Sequence, residues 1–339
     1  MPGFNRQLKQ VLILALLIGL VFVVLRELRV FFPGFLGALT LYILSRGSYF
    51  QLVYHHKWKK SRAAALFLVG YTAILILFVY TIVVLLEPKI DKFLQDPSLF
   101  ISTAKNAIGE FERRAGFSFF SESSLSDLLN KISNFIPALI NNTVDLLANL
   151  ALLLFLLYFM LVNGKEMEQY LGHIIPLNQV NINLMVSETK RLVRASAIGI
   201  PLISLIQGVT ATLGYYIFGV NEFVLWGFLT GVFAFFPFVG TMLVWVPLVI
   251  FMYAGGDAWN ATGLFIYSII VTGNIDYVAR ITVLNKLGHV HPVVTVLGVI
   301  VGLSLFGFIG FIFGPLLISY IILLFRIYSN EFLHNKNDP

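Results

Sequence analysis

The chain has 339 residues, of which 58% are apolar and only 12% charged, against about 25% charged in soluble globular proteins. A soluble core stops growing well before it absorbs such a fraction of a chain, so lipid is the solvent that suits most of this sequence. Zero cysteines exclude disulfides, Cys-ligated zinc and thiol catalysis. The net charge of +6 does not mark a nucleic-acid binder, because the positives stand in short loops beside apolar runs, where membrane proteins set their orientation.

Residues 11–25 form an apolar run behind Arg6 and Lys9, as a signal peptide would. No small-x-small cleavage site follows, and the chain passes through Arg26 and Glu27 into a second run, 30–44. Two short membrane helices are expected there. Residues 46–62 hold His55, His56, Lys57, Lys59 and Lys60, the most basic short loop of the chain, which the positive-inside rule puts in the cytoplasm. Residues 63–86 carry no charge, and at about 1.5 Å per residue they cross a ~30 Å hydrocarbon core with room for tilt.

Residues 87–142 are polar and of mixed charge, with Pro88, Pro97 and Pro137 as helix punctuation. Leu125, Leu128, Leu129, Ile132 and Phe135 share one face of a 3.6-period helix. The expectation is an extramembrane helical insert, on the outer side, whose apolar face packs on the membrane part or lies along the headgroups. Residues 146–162 return the chain inward, and 163–195 are charged and amphipathic, closing on Lys190, Arg191 and Arg194. Residues 198–218 span outward with Gln207 as their one strongly polar side chain.

The C-terminal part departs from simple spanning. Residues 223–253 are uncharged but interrupted by Pro237, Val239 and Gly240, with Pro247 beyond. Each arm, at about 22 Å, falls short of the hydrocarbon core, as in a re-entrant hairpin. Interrupted backbone at membrane depth is tolerated where protein or a wet cavity shelters it, and transporters place their sites at such breaks. Gly227 and Gly231 give a G-x-x-x-G face. Residues 258–279 form a further helix with Asn274, Asp276 and Arg280 near its inner end, followed by a basic loop with Lys286, His289 and His291. From Pro292 to Phe325 the chain is again uncharged, with Gly298, Gly302, Gly307, Gly310, Gly314 and Pro315, and the spacings Gly298/Gly302 and Gly310/Gly314 repeat the small-residue packing face. A second hairpin, entered from the opposite side, would complete an inverted repeat.

The expected architecture is all-α: a polytopic helical membrane protein of about eight membrane segments, two of them broken or re-entrant hairpins in the C-terminal half. Its parts are residues 1–86 with membrane helices 1–3, the insert 87–142, helix 4 with cytoplasmic amphipathic helices in 143–197, a transport half in 198–328, and a tail in 329–339. Both termini are expected in the cytoplasm.

The run GVNEFVLWGFLTGVFAFFPFVGTMLVWVP, then IDYVAR, then HPVVTVLGVIVGLSLFGFIGFIFGPLL resembles the autoinducer-2 exporter family of bacterial and archaeal membrane proteins, also called PerM-like permeases. The order of parts matches over nearly the whole chain, most strongly between Ala195 and Arg326. Pro237, Gly240 and Pro247 match the family's broken-hairpin motif, Asp276 and Arg280 its Asp-x-x-x-Arg signature, and His291 and Pro292 its His-Pro. Thr241 and Ile281 stand where the family usually has proline. The resemblance implies an exporter of a small polar, furanone-like signalling molecule used in quorum sensing, or a sodium or lithium/proton antiporter, in a cytoplasmic (inner) membrane. It also implies a homo-oligomer, with a pentamer among the options, and neither an enzyme nor a nucleic-acid partner.

Candidate residues follow from cost. A central Asp or Arg in hydrocarbon costs about 2.5 to 3.5 kcal/mol, and Asp276 and Arg280, four apart, can pair to offset part of it. Asp276 would bind a proton or cation and Arg280 would tune it or close a gate. The alternative is an interfacial ion pair with Arg280 snorkelling to water. Asn274, Gln207, Thr230 and Thr241 are neutral groups able to hold a solute or strip an ion, or simply to satisfy helix backbone. Gly302, Gly307, Gly310 and Pro315 mark the second break. His55 and His56 are adjacent, the wrong spacing for a metal site. No Walker, G-x-S-x-G or H-E-x-x-H run occurs, which leaves coupling to a proton or sodium gradient, or passive flux, and no cofactor. A non-transporting scaffold or receptor is the third class left open.

Overall fold

The computed structural model describes residues 2–116, 127, 143–174, 177–236, 239–275, 277–279, 282, 292–307 and 310–329. Their regular structure is helical, with no strand among the described residues. Six helical stretches are long and apolar enough to cross a membrane, and three shorter apolar helices accompany them.

Helix α1 (Pro2–Leu28) passes through a 3-10 turn (Arg29–Phe31) into α2 (Phe32–Phe50). Leu28, Phe31 and Phe32 all keep right-handed helical backbone, so α1 does not fold back on α2 as a hairpin partner would. Helix α2 starts with proline in its first turn, where the missing N–H costs nothing. The Gly34 N–H donates to Asn149 Oδ1 at 3.0 Å. Asn149 Nδ2 donates to Val30 O at 3.0 Å, so one amide from α5 (Thr143–Val162) satisfies both strands of that turn. A Cβ on Gly34 would lie 2.6 Å from Asn149 O, which is why the two helices meet there. Below this point Ala38, Tyr42, Tyr49, Ala63, Leu157 and Leu161 form the core joining α2, α5 and α3 (Lys60–Gln95).

The basic loop is shorter than its sequence suggests. A π-helical turn (Gln51–His55) carries the helix on, and Lys57, with φ of 55°, closes it before α3 begins. Helix α3 then runs for 36 residues, about 54 Å, well past a ~30 Å core. The division expected at 86/87 therefore falls inside a continuous helix, and Pro88, expected as punctuation, interrupts nothing. Pro97 does begin a helix, α4 (Pro97–Ala115). Of the insert's second amphipathic helix, all but Asp127 lies outside the described residues. Helix α4 rests on the membrane part, with Phe111 against Tyr253 at 5.9 Å between ring centroids.

After α5 come α6 (Gly164–Ile174) and amphipathic α7 (Gln179–Arg194), which Asn178 caps by accepting from Asn181 N at 2.9 Å. A π turn (Ala195–Gly199) joins α7 to α8 (Ile200–Ile217). The remaining helices are α9 (Phe223–Phe233), α10 (Met242–Ala254), α11 (Ala258–Tyr267) with a further π turn (Ser268–Thr272), α12 (Pro292–Phe306) and α13 (Gly310–Tyr328). Helix α8 packs on α9 and α11, α10 on α11 and α4, and α13 on α12 and α7.

Candidate functional site

The candidate site is the place where two helical hairpins carried by different parts of the molecule meet. The first is α9 and α10. At 11 and 13 residues these arms reach about 17 and 20 Å, too short to cross. The second is α12 and α13. Here α13, with 19 residues, is long enough to span, so the second hairpin is one short arm beside one full span rather than a symmetric re-entrant pair. It is seated on the N-terminal part, with Phe313 and Leu316 packed against Leu36 of α2 and Leu192 and Val193 of α7. The first hairpin is seated on α8 and α11, where Trp245, Leu248 and Val249 enclose Ala211, Tyr215 and Leu264.

The tip of the first hairpin touches the second. Phe235 and Phe236 both meet the Phe311 ring edge-on, at centroid distances of 5.8 and 4.9 Å, and Phe311 is 2% exposed. The break was expected to leave bare main chain; the described part of the tip largely satisfies itself. Phe236 N bonds Phe233 O at 2.9 Å, Gly240 N bonds Phe236 O at 3.1 Å, and Thr241 O receives Val244 and Trp245 N–H groups at 3.1 Å. Only glycine fits at 240, since a Cβ would stand 1.9 Å from Phe233 O.

Both seams are made by small residues. On α8, Ser204, Gly208 and Thr212 recur every four residues and face Gly227 and Gly231 of α9. A Cβ on Gly231 would lie 2.9 Å from Ser204 O, and one on Gly227 would lie 1.8 Å from Thr212 Oγ1. Between α12 and α13, a Cβ on Gly314 would fall 1.9 Å from Gly298 O, and one on Gly310 2.0 Å from Gly302 O. Without a hydrophobic drive between helices in lipid, close backbone approach supplies the association. Gly302, expected both at a break and in the packing spacing Gly298/Gly302, is a seam residue inside α12 and not a break. Pro247 and Pro315 likewise sit within α10 and α13. The second turn is at Gly307, whose φ of 59° suits glycine.

The candidate polar residues divide. Thr230 is fully buried and joins α9 to α8, its Oγ1 donating to Trp226 O at 2.8 Å and lying 2.8 Å from Tyr215 Oη. Gln207, also fully buried, belongs to the same helix pair. Thr241 is buried at the start of α10. Asn274 is exposed and donates to Ile270 O at 2.5 Å, one turn back on its own helix, so it joins none of these groups. Asp276, Arg280, Pro237 and His291 lie outside the described residues, and Pro292 opens α12. Among the described residues no acidic or histidine cluster could hold a metal.

A cleft of about 410 Å³ separates α3 from the α8/α9 seam, walled by Phe78, Leu85, Leu205, Phe228 and Phe235, with Ser204 at its floor. Ser204 Oγ is buried without a hydrogen-bond partner among the described residues. Sequence reasoning found Gly227 and Gly231 but missed their counterparts: the run Ser204, Gly208, Thr212 was the available signal. Phe311 gave none, since one phenylalanine among 32 is marked only by what it touches.

The sequence model described as AI-2E family transporter matches residues 11–330. Among curated relatives, a Helicobacter pylori protein named for an assumed transport role is 26% identical over 226 residues, covering 64% of this chain and 64% of its own length. A protein of the same description from Aquifex aeolicus is 23% identical, over 63% of this chain and 60% of its own. One from Buchnera aphidicola is 32% identical over 50% of this chain and 47% of its own. The matches thus span less than two thirds of the relatives' lengths. With the family's model covering nearly the entire sequence, the chain belongs to the AI-2E transporter family.

Proposed function

We propose that this protein is a secondary transporter that exports a small polar solute, such as the furanone-like signalling molecule its family is named for, through the region where the two hairpins meet. The observation that carries the reading is the packing of Phe235 and Phe236 on Phe311. Two interrupted elements, seated on separate helical groups, touch through aromatic rings that can part without breaking a hydrogen bond. Transporters place substrate sites where broken helices meet between repeats, and rock one group against the other. The glycine seams hold the second hairpin together and tie the first hairpin to α8 while the ring packing changes. In this reading Gln207, Thr230 and Thr241 supply polar groups near the path, and Asp276 with Arg280 couples flux to protons or sodium. The basic loop and α6 share one face, held by the Lys60–Glu166 and Arg46–Glu168 pairs, which supports a cytoplasmic assignment for that face in an inner membrane. Homo-oligomers would then cover α1, whose described apolar side chains are all exposed.

Proteoliposome flux is the test. Efflux of labelled furanone-type solute that persists without sodium, and falls at least tenfold in F311A, supports the reading. Proton-linked sodium movement that disappears in D276N, with no solute flux, would replace it with antiport. Absence of both fluxes from well-folded protein would refute transport.

A further inference from the structure

A second recess, of about 270 Å³, lies away from the meeting point of the hairpins, between α7 and the last turns of α13. Its polar wall is Glu188 and Arg191 of α7 with Ser319, Tyr320 and Arg326 of α13, and its rim is Leu184 and Ile322. Arg191 Nη2 pairs with Glu188 Oε2 at 2.5 Å. Its Nε is shut off from solvent with no hydrogen-bond partner among the described residues, a costly state for a charged donor. Arg326 has no ion-pair partner among the described residues. Two guanidinia against one carboxylate leave the recess positive, and an acceptor anion between them would satisfy the stranded Nε. The fold holds this geometry open: Thr189 Oγ1 is hydrogen-bonded to Tyr320 Oη across the two helices, and Leu192 and Leu316 pack beneath.

The depth of the recess selects the anion. Arg326 stands in the last turn of a helix long and apolar enough to span. Helix α7 is amphipathic and carries Lys190, which acts on the Glu168 carboxylate and so belongs to the face with the basic loop. A helix end of this kind suits headgroup level, where an apolar rim beside two arginines fits an amphiphile. We propose that the recess is a binding site for a phosphate group carried by an anionic lipid headgroup, with the acyl chains lying along Leu184 and Ile322. Guanidinium forks match phosphate oxygens, and juxtamembrane basic groups favour anionic lipid.

Native mass spectrometry of the full chain tests it, with phosphatidylglycerol or phosphatidylcholine of identical acyl chains, and with inorganic phosphate as competitor. Phosphatidylglycerol should be retained selectively, with affinity falling about fivefold in R326Q and again by a similar factor in R191Q/R326Q. Arg326 is exposed, so R326Q leaves the fold intact and separates the charge from folding defects. Displacement of the lipid by millimolar inorganic phosphate keeps the anion site and reassigns its occupant to the free ion. Equal retention of both lipids, or unchanged selectivity in R326Q, overturns the proposal.

Discussion

Adding one methyl group at Gly314 should separate α13 from α12 and destabilise the protein more than any solvent- or lipid-facing glycine change. The Cβ would begin 1.9 Å from Gly298 O, whereas a relaxed carbon–oxygen approach needs about 3.3 Å, so the helices must part by roughly 1.4 Å. Gly298 lies opposite Pro315 backbone at 2.4 to 2.5 Å from its own virtual Cβ, and neither side has a flexible side chain that could yield. Overpacking of this kind costs about 1 to 3 kcal/mol, and the contact is at the severe end because backbone meets backbone. The expected loss is about 2 to 3 kcal/mol. Gly70 supplies the control: a Cβ there meets nothing within 4 Å, and alanine gains up to about 1 kcal/mol of helix propensity. Detergent-denaturation titrations in mixed micelles should therefore place G314A at least 2 kcal/mol below G70A. Midpoints within about 0.5 kcal/mol of each other would show that the seam is not close-packed and would refute the reasoning.

Asn149→Leu should cost about 1 to 3 kcal/mol, because the buried Gly34 N–H loses its acceptor; the same titration reads it. Thr230→Val keeps the shape but strands the Tyr215 hydroxyl, 2.8 Å away in the α8/α9 seam; a similar loss is expected, and the double variant with Tyr215→Phe should recover most of it. Burial pushes the Glu168 carboxyl up, but hydrogen bonds from Arg46 and Tyr42 outweigh it and hold the group below its ordinary 4.5. Its stabilisation is complete above pH 4.5 and fades as pH falls through the depressed value; melting curves should show this acid loss, and Glu168→Gln should flatten it. Cysteine at Val239, 57% exposed, should react with a small polar thiol reagent if the tip faces a wet path, while cysteine at Gly302, with 2.3 Å to Gly310 O, should disturb assembly instead.

The membrane character, the helical class and the two interrupted stretches near 234–241 and 307 were legible because each is a local property. Runs without charge report lipid, and the clusters at 235–240 and Gly307 combine several turn-forming residues or a positive φ. The extent of α3 was not legible: Pro88 reads as a stop, yet the helix continues to Gln95. Nor were the π turns at Gln51–His55, Ala195–Gly199 and Ser268–Thr272, since a one-residue slip in hydrogen bonding leaves no compositional trace. Gly302 shows the limit most directly. Glycine serves equally at a turn, where it supplies a positive φ, and at a crossing, where it removes a Cβ, and the sequence records only the glycine.

Composition and periodicity thus determined that this chain partitions into lipid as helices, because desolvation and backbone satisfaction act residue by residue. The tertiary structure decided which breaks face one another, which glycines are seams, and that Phe235 and Phe236 close on Phe311. Those facts depend on pairs of residues far apart in the chain, whose approach is set by packing that no single segment encodes.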